Sequence, residues 1–163
     1  MKKEHKSNLS TLCYIEQDEC YLMMHRISKE NDINHGKWIG VGGHFEENES
    51  PEDCLLREVK EETGLTLTSY SLRGIITFIS DGWGCEYMHL YTADAFDGTL
   101  TEKQMNTCNE GILRWVPKKQ LMDLELWEGD RVFLGCLLNQ NTFFSMKLKY
   151  HGDKLVDITT TQY

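Results

Sequence analysis

Apolar and β-branched side chains gather in short β-favouring runs along much of this chain, and recur every third or fourth residue in two stretches. Residues 11–16 and 20–25 are β-favouring runs separated by Gln17, Asp18 and Glu19, which predicts a hairpin. A polar loop, 28–35, leads to the segment GKWIGVGG at 36–43, a short apolar strand breaking into glycines where backbone can approach a ligand closely. Residues 72–79 and 86–96 read as strands joined by the turn residues SDGWG, and Asp97-Gly98 marks another turn. After a polar interval come a strand at 111–116, a short helix opened by Pro117 and running to Leu124, and a longer helix over 130–138. Val132, Phe133, Cys136 and Leu137 share one side of that last helix. Two closing strands, 143–150 and 154–158, meet at His151-Gly152-Asp153.

The remaining helical stretch lies between Ser50 and Gly64 in GHFEENESPEDCLLREVKEETGL. Ser50 suits the N-cap, Pro51 suits the first helical position, and Asp53 completes a capping box. Leu55, Leu56 and Val59 form an apolar stripe, and Gly64 supplies the left-handed residue that ends the helix. Glu58, Glu61 and Glu62 then stand at i, i+3 and i+4 and project together. Strands outnumber helices, so a mixed sheet with helices packed on it is expected, in an α+β or α/β sandwich. Residues 1–8 read as a flexible terminus, leaving one domain over 9–163.

Composition narrows the class. A formal charge of −9 argues against a general binder of nucleic-acid polymers. No apolar segment reaches membrane or export-signal length, so no membrane partner and a cytoplasmic location are expected. The six cysteines show neither C-x-x-C pairing nor zinc-ligand spacing, and the six histidines form no ligand motif. Both sets are expected to be structural or surface residues.

Three adjacent carboxylates repel one another, and each raises its neighbour's pKa unless a cation is present. Oxygen ligands without His or Cys select hard divalent ions, Mg²⁺ or Mn²⁺, which combine carboxylates with water and substrate phosphates. A phosphate-bearing small molecule is the matching substrate. Arg57 can pair with Glu61 or with Glu49 and hold the acids in register. Without further pattern, the same acids read more simply as an ordinary solvated face of a surface helix.

The further pattern is present. Gly43, Glu49, Arg57, Glu58, Val59, Glu61, Glu62, Gly64 and Leu65 satisfy G-x5-E-x7-R-E-U-x-E-E-x-G-U, where U is apolar. This resembles the Nudix box, and GKWIGVGGHFEENES, CNEGILRWVP and LWEGDRVF extend the likeness to MutT-type 8-oxo-dGTP diphosphatases. The resemblance implies a Nudix-type α/β/α sandwich with a mixed sheet. It implies that Glu58 and Glu62 hold the metal, with Glu61 facing the ions, the Gly42 carbonyl as a further ligand, and Glu110 as the acid from outside the box. Glu58 is the implied base or water orienter, with Glu61 and Arg57 completing the catalytic group.

For substrate, Arg26 resembles a basic residue that touches phosphates, Trp127 one that stacks a purine, and Asp130 one that reads its edge. Trp127 reads equally as a core anchor. The chain departs from the mammalian pattern at Gly129, where a second aspartate stands, and at Ile39, where an asparagine stands; Ile39 cannot hydrogen-bond a base. The leading expectation is a Mg²⁺-dependent nucleoside triphosphate pyrophosphohydrolase acting on oxidised purines, as a monomer or homodimer. The alternatives are a hydrolase of another nucleoside diphosphate derivative and a non-catalytic nucleotide-binding domain.

Overall fold

A computed structural model describes residues 7–163. Its strands are β1 (Ser7–Gln17), β2 (Cys20–His25), β3 (Trp38–Ile39) and β4 (Val41–His44), followed by helix α1 (Pro51–Thr63). Then come β5 (Thr66–Ser80), β6 (Gly84–Asp97), the short helix α2 (Glu102–Asn106) and β7 (Ile112–Pro117). A 3-10 helix over Lys118–Asp123 precedes α3 (Glu128–Asn139), β8 (Phe144–His151) and β9 (Lys154–Gln162). Strand β1 thus starts at Ser7, two residues before the expected Leu9, while residues 1–6 of the expected flexible terminus lie outside the described residues.

The strands run in the order β3-β2-β1-β6-β5-β8-β9, with β4 also on β1 and β7 also on β2. β1 runs parallel to β6 and β5 parallel to β8, whereas the other pairs are antiparallel, so the sheet is mixed. The segment expected as one strand over 36–43 is divided at Gly40: β3 pairs with β2, and β4 crosses to pair with β1. That crossing carries Gly43 against Cys54 and Glu58 of α1.

Alternation along β1 and β2 builds two cores. Leu12, Tyr14, Tyr21 and Met23 pack with Phe133, Leu134 and Leu137 of α3. Cys13, Ile15, Leu22 and Met24 face the other way and pack with Leu55 and Val59 of α1. The sheet, covered on both faces, needs continuous apolar runs, which is what those strands contain. The result is a mixed α+β single domain of the expected sandwich kind. Val132 and Cys136, expected to share the buried side of α3, lie at its half-buried margin, and Leu134 takes the inner position.

Helix α1 begins and ends as its sequence requires. Asp53 N–H donates to Ser50 Oγ at 3.1 Å, Ser50 N–H donates to Asp53 Oδ2 at 3.0 Å, and Gly64 closes the helix with φ of 75°.

Candidate active site

A cleft of about 740 Å³ runs from the second half of α1 across β1, β6 and β5 to the start of α3. It is lined at one end by Gly42, Glu58, Glu62, Arg26 and Glu110, and at the other by Ile39, Trp127 and Asp130. Nine of the ten sequence-derived candidates, Arg57 among them, therefore line one cleft; Glu61, with a side chain 57% exposed, lines an adjoining groove beside Glu58, Glu62 and Glu110.

Arg57 organises the acidic end. Its Nε and Nη2 donate to the two oxygens of Glu49 at 2.5 and 3.0 Å, Nη1 donates to Glu58 Oε1 at 2.9 Å and to Glu61 at 3.3 Å, and Nη2 also reaches the His44 carbonyl at 3.1 Å. One guanidinium thereby ties the loop before α1 to two of its acids, a geometry that suits Arg and not Lys. Hydrogen bonds from Arg57 hold the Glu49 carboxyl down at about 2. Gly43 brings β4 against the same acid: a Cβ there would lie 2.5 Å from Glu58 Cδ.

Glu62 carries the strongest sign of an absent partner. Its Oε2 is buried without a hydrogen bond, and burial, then the charges of Glu58 and Glu110, push its carboxyl up to about 8. Arg26 and the backbone of Gly42 act in the opposite direction. An orphaned carboxylate oxygen beside two further acids, with no sulfur or imidazole donor in the set, fits a hard divalent cation. In this conformation, however, no three His, Cys, Asp or Glu side chains among the described residues form a metal-sized cluster. Glu110 points to Arg26 at 3.1 Å and Lys29 at 3.5 Å, and Arg57 engages Glu58 and Glu61.

At the other end, Trp127 is half-buried and its indole Nε1 donates to Asn34 Oδ1 at 2.8 Å. Lys37 Nζ lies 5.1 Å from its ring centroid. Trp127 meets Tyr150 edge-on at 5.8 Å, and Phe78 and Trp83 continue an aromatic wall at successive spacings of 6.4 Å. Asp130 is 5% exposed, and burial raises its carboxyl to about 7 against the pull of Lys37. Near neutrality that group can be both donor and acceptor. Ile39 contributes an apolar surface.

Several lining residues gave no earlier signal. Ser10 lines the cleft, with its Oγ buried and without a hydrogen-bond partner; the only hint was a polar residue beside a strand core. Asn34, Phe78, Trp83, Glu86 and Tyr150 reach the cleft through tertiary packing. His44, expected to be structural or surface, is an exposed cleft residue paired with Glu86 at 2.7 Å, a contact that raises its pKa.

Residues 6–135 match the family model described as NUDIX domain. The oxidized purine nucleoside triphosphate hydrolase of Mus musculus is 32% identical over 139 residues, spanning 84% of this chain and 83% of that protein. An uncharacterized Nudix hydrolase of Bacillus subtilis is 29% identical over 127 residues, covering 74% of this chain and 72% of its own. In fold, the crystal structure of a mutator MutT protein from Bacillus halodurans superposes with a TM-score of 0.81 at 23% identity, covering 94% of this chain and 97% of that one. The chain belongs to the Nudix hydrolase family. It is a hydrolase of diphosphate bonds, a chemistry for which the family generally uses divalent metal ions.

Proposed function

We propose that the protein is a Mg²⁺-dependent nucleoside triphosphate pyrophosphohydrolase that takes oxidised purine nucleotides such as 8-oxo-dGTP. It cleaves them to a nucleoside monophosphate and pyrophosphate, and so clears damaged precursors from the nucleotide pool. The observation that carries this reading is the joining, in one cleft, of the Glu58 and Glu62 acids to a base-sized end formed by Trp127 and Asp130. A purine stacked on Trp127 gains about 1 to 3 kcal/mol. Asp130, held near neutrality by burial, can donate to or accept from the base edge that Ile39 leaves unread. The name of the mouse relative points to the same substrate class.

Glu58, Glu62, Glu110 and the Gly42 carbonyl are the groups that would hold the ion, with Glu61 facing it from outside; Mn²⁺ has the same donor preferences. Bound there, the ion would stabilise the charge that develops on phosphate oxygens. Glu58 takes the proton as water attacks one phosphorus of the P–O–P linkage, and the bond from that phosphorus to the bridging oxygen opposite breaks, so that nucleoside monophosphate and pyrophosphate separate. Arg57 keeps Glu58 in place, and Arg26 stands at the phosphate end beside Glu110.

Product analysis over a nucleotide panel with Mg²⁺ tests the reading. Cleavage of 8-oxo-dGTP no faster than dGTP would remove the sanitising role. Preference for a dinucleoside polyphosphate, nucleotide sugar or ADP-ribose would reassign the substrate while keeping the diphosphate chemistry.

A further inference from the structure

The loop between β2 and β3 joins the two ends of the cleft. Arg26 follows β2 directly, and its Nη2 lies 3.1 Å from Glu110 Oε2. Its Nε donates to Asp32 Oδ2 at 2.6 Å. The other oxygen of the same carboxylate accepts the Asn34 backbone N–H at 3.1 Å, and Asn34 Oδ1 accepts the Trp127 indole N–H at 2.8 Å. Four polar contacts therefore run without a break from Glu110 to Trp127, through side chains that are 15% exposed at Arg26 and 9% at Asp32.

The loop's own backbone keeps this path short. Arg26 N–H donates to the Lys37 carbonyl at 2.9 Å, Gly36 N–H donates to the Arg26 carbonyl at 2.7 Å, and Lys37 N–H donates to the Asn34 carbonyl at 2.8 Å. Lys37, which closes this set, is also the residue whose ammonium lies against the Trp127 ring. The indole is thus held at its N–H edge by Asn34, against a ring face by Lys37 and in a T-shaped contact by Tyr150. A bidentate carboxylate bridging a guanidinium and a backbone N–H leaves little freedom at the centre of the path.

We propose that Asp32 and Asn34 are positioning residues that lock the plane of Trp127 to the Arg26–Glu110 pair, so that the base end and the phosphate end of the cleft are held in register by one loop. The role rests on reading Trp127 as the purine-stacking residue. Neither Asp32 nor Asn34 needs to touch the nucleotide. Asp32 acts through Arg26 and Asn34, and Asn34 acts through the indole.

The test joins kinetics with 8-oxo-dGTP and Mg²⁺ to the indole ¹H–¹⁵N resonance of Trp127, assigned by its loss in Trp127→Phe. Asn34→Leu removes the acceptor, and about a tenfold rise in KM is expected, with kcat within about twofold and the indole resonance displaced. Asn34→Asp keeps an acceptor oxygen and should restore both readouts. Asp32→Asn retains one oxygen and loses the other, and should displace the indole resonance although it does not touch Trp127. The idea fails if Asn34→Leu leaves KM and the resonance unchanged, or if Asp32→Asn changes KM with the Trp127 resonance unmoved. If the parent enzyme leaves purine triphosphates uncleaved, it is the substrate reading that has failed. The resonances of Asn34→Leu and Asp32→Asn then decide the linkage by themselves: displacement in both supports it, and an unmoved indole overturns it.

Discussion

Tyr150 stands in the space that a side chain at residue 129 would need. Its hydroxyl oxygen accepts the Gly129 N–H at 2.7 Å, and a Cβ on residue 129 would lie 2.6 Å from that same oxygen and 2.6 Å from Leu148 Cδ1. The departure from the mammalian sequence pattern at this position thus has a physical reason: β8 supplies a phenol to the first turn of α3, and a residue larger than glycine overlaps it. Gly129→Ala should cost about 1 to 3 kcal/mol as overpacking. Tyr150→Phe strands a buried helix N–H at a similar cost of about 1 to 3 kcal/mol. Urea unfolding of both single variants and the double variant should show less than additive loss, because the Phe ring removes one of the two atoms that residue 129 strikes.

Gly43 and Glu58 make a second close pair, and they separate catalysis from folding. Glu58→Gln keeps the shape and the Arg57 contact while removing a base and an anionic ligand. A fall in kcat on the order of 10²-fold or more is expected, with the unfolding midpoint little changed. Gly43→Ala leaves the carboxylate present but forces it aside, since the new methyl would lie 2.5 Å from Glu58 Cδ. Steady-state kinetics should show a smaller kcat loss, on the order of tenfold, through displacement alone. Undiminished turnover in Glu58→Gln would point to the non-catalytic alternative or to another base.

Asp130 and Glu49 oppose one another in their pH dependence, while Glu62, raised to about 8, acts in the same direction as Asp130. Asp130 has an ordinary pKa of 3.8 and a folded value of about 7, so between those values the folded chain keeps a proton that the unfolded chain has released. Its contribution to stability therefore falls as pH rises from about 4 to 7. Glu49 moves from 4.5 to about 2, so its contribution is complete above 4.5 and is lost as pH falls toward 2. In metal-free urea titrations, Asp130→Asn should lessen the loss between pH 4 and 7, leaving the share that Glu62 contributes, and gain over the parent at pH 8, while leaving the acid limb intact. An unchanged slope would show that Asp130 ionises normally.

How far the sequence predicted this molecule depends on the range of the interactions involved. Ser50, Pro51, Asp53 and Gly64 act within a few residues, and α1 has the expected start and stop. The runs of β1 and β2 were visible as strands, but that their two faces bury separate cores was not, since the partners lie in distant α1 and α3. By contrast, β5 begins at Thr66 and not near Leu72, because its first half is largely exposed and its pairing with β6 shifts register between Leu67 and Ser69, Ser69 and Tyr70, and Leu72 and Gly74. Such bulges break the period of two that a strand pattern rests on. At the candidate site the glutamates were legible because one helix sets their spacing. Asn34 and Tyr150 were not, since their partners Trp127 and Gly129 lie 93 and 21 residues away.

Ser10 offers a test of the base end that does not involve the acids. Ser10 lines the cleft, and its buried hydroxyl has no partner among the described residues, an arrangement that costs stability unless something else completes it. Ser10→Ala removes that unsatisfied group, so the unfolding free energy should stay the same or rise by about 1 kcal/mol. If the hydroxyl's partner is the bound purine, KM for the preferred nucleotide should rise severalfold in the same variant, with kcat nearly constant. Cleavage of inorganic polyphosphate, which has no base, should be unaffected. Greater stability joined to weaker binding is the signature of a group held in reserve for ligand, and equal KM values for parent and variant would assign Ser10 to the scaffold.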